Sequence, residues 1–83
     1  MADVIIYTKH AEHRMAFRKI SKKDVEAVIA NPDRIVPGKR TSIIQKVIKG
    51  KLLRVVYKMD NNAYIVITAY FTDKQRYQGG AKP

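Results

Sequence analysis

Asn31-Pro32 divides this chain into two stretches with different hydrophobic rhythms. Before it, apolar residues recur at helical spacing. After it, they come in β-branched runs broken by turn residues. The residue preceding a proline avoids the helical region, so a helix has to end here. A chain that is helical first and strand-forming afterwards is expected to fold as an α+β domain, with its helices set against a sheet.

The elements on each side can be read locally. Val4-Ile5-Ile6-Tyr7 reads as a short strand or an extended lead-in. Thr8 can cap a helix running to about Arg18, because KHAEHRMAFRK holds neither Gly nor Pro. Ser21 starts a second helix, with Asp24 completing a variant capping box, and Val25, Val28 and Ile29 face the core. Beyond Pro32, Arg34-Ile35-Val36 is a short strand before the Pro37-Gly38 turn. Thr41 to Lys49 and Leu52 to Met59 are strands joined by the turn Lys49-Gly50-Lys51. Asp60-Asn61-Asn62 turns the chain into a last strand from Ala63 to Thr72, since Asp and Asn tolerate positive φ. The expected fold is two N-terminal helices packed on one face of a three- to four-stranded antiparallel sheet. It forms one domain over residues 1–83, with a core at 7–72 and a mobile tail at 78–83.

Size and charge bound the function. A chain of 83 residues buries only roughly 60% of the surface its unfolded form exposes, so a shallow face or groove is expected rather than a deep cofactor cavity. No cofactor is expected. The absence of cysteine excludes disulfides and thiolate metal sites. The first residues, MADVIIYTKH, hold too short an apolar run for a signal peptide or a membrane span. A cytoplasmic protein with no membrane partner is the resulting expectation. Lys and Arg number 17 against 7 Asp and Glu, a formal net charge of +10. Solubility needs a magnitude of only about 2–8 in a small domain. The excess points to a polyanion, with RNA first.

The charge has a local pattern. His10, Arg14 and Arg18 stand at i, i+4 and i+8, one stripe of the first helix about 12 Å long. His10 is also near the helix start, where backbone N–H groups attract anions. Such a stripe can bind a phosphate, or set a general acid or base beside two charge stabilisers. A solvated basic face has the same spacing, so both readings stand. His13 is less well aligned, and Glu12 fits a solubilising partner for a nearby Lys or Arg. His10-x-x-His13 lacks accompanying carboxylates, and no metal site is expected.

The last strands add a second surface. Strict alternation puts Ile65, Ile67 and Ala69 on the helix-covered side and Tyr64, Val66, Thr68 and Tyr70 on the other. With Arg54 and Lys58 from the preceding strand, the second face offers aromatic and basic groups suited to single-stranded RNA. Tyr is also a good strand former that is often half-buried at an edge.

The stretch His10-Ala11-Glu12-His13-Arg14-Met15-Ala16-Phe17-Arg18-Lys19-Ile20 resembles the opening motif H-A-x-x-R-M-x-x-R-x-I of a small-domain family. That family is catalogued as a domain of unknown function (number 4258). Its pattern continues with V-x-x-(V/I) and N-P, matched by Val25, Val28, Ile29 and Asn31-Pro32. It closes on T-A-Y, matched by Thr68-Ala69-Tyr70. The resemblance covers the chain from about Tyr7 to Tyr70. It implies a fold like that of the RelE/ParE toxins and related small ribonucleases. It also implies a metal-independent ribonuclease, or a toxin-like protein neutralised by an acidic antitoxin-like partner. Motif positions carry over to His10, Arg14, Arg18, Thr68 and Tyr70.

These observations give an expected function and two alternatives. The first is a toxin-type endoribonuclease that uses the RNA 2′-hydroxyl as nucleophile. In it His10 is the general acid or base, and Arg14 and Arg18 stabilise charge on the phosphate. Tyr70 positions RNA or donates a proton, while Thr68 bonds a phosphate oxygen; Tyr64, Arg54 and Lys58 support binding. The alternatives are a non-catalytic nucleic-acid-binding module and a protein-interaction domain.

Overall fold

The computed structural model describes residues 4–72 of the chain. The elements run β1 (Val4–Tyr7), α1 (Lys9–Arg18), α2 (Lys22–Ala30), β2 (Arg34–Val36), β3 (Ser42–Ile48), β4 (Lys51–Asp60) and β5 (Ala63–Thr72). The expected mobile tail at 78–83 lies outside the described residues.

Local chemistry accounts for the element boundaries. The Thr8 hydroxyl accepts from the Ala11 N–H at 3.0 Å, and the Ser21 hydroxyl accepts from the Asp24 N–H at 3.1 Å. Each satisfies one of the donors that the first helical turn leaves without a partner. Lys19 ends α1 in the left-handed region at φ 58°, where the Ile20 N–H returns to the Met15 carbonyl at 2.8 Å. That turn drops Ile20 into the core. Asn61 and Asn62 (φ 51° and 66°) form the β4–β5 turn, and Lys49 and Gly50 (φ 54° and 83°) form the β3–β4 turn. At Gly38 an added Cβ would collide with the Thr41 carbonyl oxygen, so the bend after Pro37 requires glycine.

The sheet has five strands in the order β1-β5-β4-β3-β2. The pairs β2–β3, β3–β4 and β4–β5 are antiparallel, but β1 pairs parallel with β5, from Val4 opposite Ala63 to Tyr7 opposite Val66. This corrects the expected three- to four-stranded antiparallel sheet: the sheet is mixed and the lead-in is its fifth strand. The class, α+β with two helices, is as expected. Four extended residues carry no local mark of which distant strand they join. Their partner is decided when β5 arrives from the other end of the chain.

Both helices pack on the face that carries Leu53, Val55 and Tyr57. Ala11 and Met15 of α1 and Val25, Val28 and Ile29 of α2 meet Ile44, Val66 and Ala69 there. A register shift between Val56 and Tyr57 sets Val56 opposite Thr68 and Tyr57 opposite Val66, leaving Ile67 as an extra residue. This bulge resets the alternation along β5. Tyr64 and Val66 before it, and Ala69 and Phe71 after it, all turn to the helix side. Thr68 and Tyr70 keep the open face, and Ile65 joins them. The strict alternation read from the sequence therefore misplaces Tyr64, Val66 and Ile65, because a one-residue insertion exchanges the two faces.

Tyr7 packs against this core, while its hydroxyl is shielded from solvent and has no hydrogen-bond partner among the described residues. Lys22 Nζ lies 4.9 Å from the centroid of its ring. Burial, and after it the Glu26 charge, raise the Tyr7 pKa above its ordinary 10.0. The folded state then holds the phenolic proton more tightly than the unfolded state. The stability linked to this is present below pH 10.0 and lost as pH rises through the folded value. Tyr7→Phe removes an unbonded polar group, so it should leave stability at pH 7 within about 1 kcal/mol of the parent. It should also flatten the alkaline loss. Urea unfolding at neutral and strongly alkaline pH tests both, and a large loss at neutral pH would mean that the hydroxyl is bonded.

Candidate nucleic-acid interface

Helix α1 divides its side chains by the 3.6-residue turn. Ala11 (0% exposed) and Met15 (3%) face the sheet. His10, His13, Arg14 and Phe17 occupy the outward quadrant and are all exposed. Among the described residues, the side chains of His10 and Arg14 make no hydrogen bond and no ion pair. Glu12, on another side of the helix, pairs with Lys22 at 3.3 Å.

Arg18 follows Arg14 by one turn, as the stripe predicts, but unlike the other two members its guanidinium is engaged. It lies on the flank of α1 next to the sheet and donates through Nη1 to the Ala69 carbonyl at 2.9 Å. The cause is the shortness of β1. That strand ends at Tyr7, opposite Val66, so the β5 carbonyls beyond this point meet the start and flank of α1 instead of a strand. The Thr8 N–H donates to the Val66 carbonyl at 3.1 Å, and the Thr8 hydroxyl reaches the Ile67 carbonyl at a long 3.5 Å. Arg18 completes this row. It holds the end of α1 against β5 and satisfies an edge carbonyl.

The face opposite the helices holds a second polar group. Gln45, Arg54 and Tyr70 stand side by side across β3, β4 and β5. Arg54 donates from Nε to Gln45 Oε1 at 3.1 Å and from Nη1 to the Tyr70 hydroxyl at 3.2 Å. Its guanidinium carbon is 5.9 Å from the centroid of the Tyr70 ring. Gln45 and Arg54 are buried, at 1% and 7% exposure. A guanidinium with so little exposure orients its neighbours and has little surface to offer a ligand. Lys58 is exposed on the same face, and Thr68 is half-buried beside Val56. Tyr64 is on the helix side, its ring 5.3 Å from that of Tyr57.

The expected site residues thus fall into two groups. His10 and Arg14 stand together on the outward face of α1. Arg54 and Tyr70 are bonded together on the open sheet face, with Thr68 and Lys58 nearby. The fold does not bring His10 to Tyr70, since one faces away from the sheet on the helix side and the other lies on the opposite face. Sequence reading passed over Gln45 and Phe17. Gln45 was visible as the polar residue inside the apolar strand SIIQKVI, and Phe17 as the large apolar residue on the polar side of α1.

Among the described residues, no three His, Asp or Glu side chains are grouped to hold a metal ion. No described helix is long and apolar enough to cross a membrane.

Fold and surface together define a small basic α+β domain with a mixed five-stranded sheet and an exposed basic helix. The chain belongs to the family described as Domain of unknown function (DUF4258), whose model matches residues 7–71. The matched span contains His10, Arg14, Arg18, Thr68 and Tyr70. No curated protein and no solved structure matches the chain.

Proposed function

We propose that this protein is an RNA-binding domain that takes its ligand on the outward face of α1, in the cytoplasm. The observation that carries this reading is the pairing of His10 and Arg14, exposed and unengaged among the described residues, on a chain of net charge +10. A guanidinium can grip a phosphate through two parallel N–H groups, and an adjacent imidazole adds a directed donor. Arg18 supports this surface by holding the end of α1 against β5.

RNA cleavage of the toxin type is the second reading. It is favoured by the position of His13 on the same outward quadrant as His10, with Arg14 beside both. Metal-independent cleavage needs one group to take the proton from the 2′-hydroxyl as its oxygen attacks phosphorus. A second group returns a proton to the departing 5′-oxygen, and a cation stabilises the charged phosphorane. His10, His13 and Arg14 are the right types for these three roles.

Binding of a mixed-sequence RNA, followed by fluorescence anisotropy over a salt series, tests the first reading. Log affinity should fall steeply with log salt, and Arg14→Ala should reduce that slope by about one unit. A flat salt dependence, or an unaltered slope in the variant, would sink it. Incubating RNA with the protein in EDTA tests the second reading. Cleavage lost in His10→Ala supports it, and no cleavage by the parent rejects it. Co-purification of an acidic protein at fixed stoichiometry, unaffected by nuclease, would instead favour the protein-interaction role.

A further inference from the structure

Phe17 is 80% exposed, the most exposed of the large apolar side chains that the described fold leaves in water. The others, Val4, Ile6, Ile35 and Met59, are all on strands. A single exposed apolar residue is ordinary on a protein surface. The surroundings of Phe17 are not. On α1 it stands three residues from Arg14 and four from His13, its neighbours on the helix surface, and seven from His10, two turns away on the same face. The acid of this helix, Glu12, lies elsewhere on its circumference and is engaged with Lys22.

We propose that Phe17 is a stacking platform for an unpaired nucleobase, and that the RNA bound here is single-stranded. This rests on the RNA-binding reading and goes further by naming the form of the ligand. The patch asks for a partner that is flat and apolar at one point and anionic about 5–6 Å away, the separation of neighbouring side chains on a helix. A nucleotide meets both demands within one unit: its base covers the ring and its phosphate meets Arg14. A duplex does not, because its bases are stacked on each other and only its phosphates reach a convex helix. Stacking is also tolerant of base identity, since every base has a π-face.

The chain has no tryptophan, so Phe17→Trp places a single tryptophan at the proposed contact, excitable at wavelengths that its five tyrosines do not absorb. Its emission should be quenched by a single-stranded oligonucleotide and not by a duplex of the same sequence. Phe17→Ala should weaken single-strand binding by about 5- to 150-fold, the effect of losing one stacked base. Binding of the duplex should not change. The thermal midpoint should also hold, because the side chain packs on nothing that its removal would disturb. If the parent binds single-stranded RNA and Phe17→Ala binds it equally well, the platform is refuted and the RNA-binding reading survives. An equal loss for single strand and duplex likewise refutes it. If the parent binds no RNA at all, both proposals fall together.

Discussion

Arg54→Ala is expected to destabilise the fold by about 2–4 kcal/mol, read from the shift in guanidinium unfolding. Three effects combine. The variant loses hydrogen bonds from a charged donor to Gln45 and to the Tyr70 hydroxyl. It leaves the Gln45 side chain, 1% exposed, without the N–H that its carbonyl oxygen accepts. It also removes the aliphatic stem that fills this part of the open face. Arg54→Met in a Gln45→Leu background should recover much of the loss, because an apolar pair of similar volume leaves no buried polar group unbonded. A loss below about 1 kcal/mol in Arg54→Ala would show that water reaches the network and screens it. RNA affinity per folded molecule should change little in this variant. Arg14→Ala should do the reverse, weakening RNA binding while leaving stability nearly unchanged. That contrast separates a side chain that holds the fold together from one that touches the ligand.

Leu53→Ala should cost about 2–5 kcal/mol, the range for a buried leucine whose site cannot fully collapse. Leu53 is 0% exposed and lies where both helices meet the sheet. In a domain of this size each kcal/mol lowers the melting temperature by about 4–8 °C, so the variant should melt at least ~8 °C below the parent. Leu52 makes the comparison informative. It is also 0% exposed, yet it points to the opposite face and stands outside the helix-side core. Leu52→Ala should therefore carry a cost of the same order through a different set of contacts. Thermal and urea unfolding of the two variants would check this. A loss for Leu52→Ala of less than about 1 kcal/mol would mean that only the helix side behaves as a packed interior.

The candidate surface was partly visible in the chain. The helical spacing of His10 and Arg14 predicted that they stand together, and helix geometry alone makes that so. Arg18 shares the spacing but not the surroundings. Its position on the flank next to β5 gives it a backbone carbonyl to satisfy, and spacing says nothing about which carbonyls lie nearby. Tyr64 and Tyr70 looked equivalent by alternation. The bulge at Ile67 separates them, sending Tyr64 into the core beside Tyr57 and leaving Tyr70 to Arg54.

What the sequence determined by itself was local or additive. Thr8 and Ser21 set the helix starts through their own hydroxyls, and Asn31-Pro32 ended the second helix. Asn61-Asn62 and Lys49-Gly50 turned the strands through backbone conformations these residues tolerate. Charge, size and family motif are sums or strings that need no third dimension. The tertiary structure alone decided that β1 lies parallel to β5, that one extra residue resets the faces of β5, and that Arg18 and Arg54 spend hydrogen bonds inside the fold. The parallel pairing and the Arg18 bond join residues more than fifty positions apart, as Thr8 and Ile67 are at 59, while the bulge and the Arg54 bonds join neighbouring strands across turns. A local pattern states what a residue prefers; only the packed sheet states which distant neighbour meets that preference.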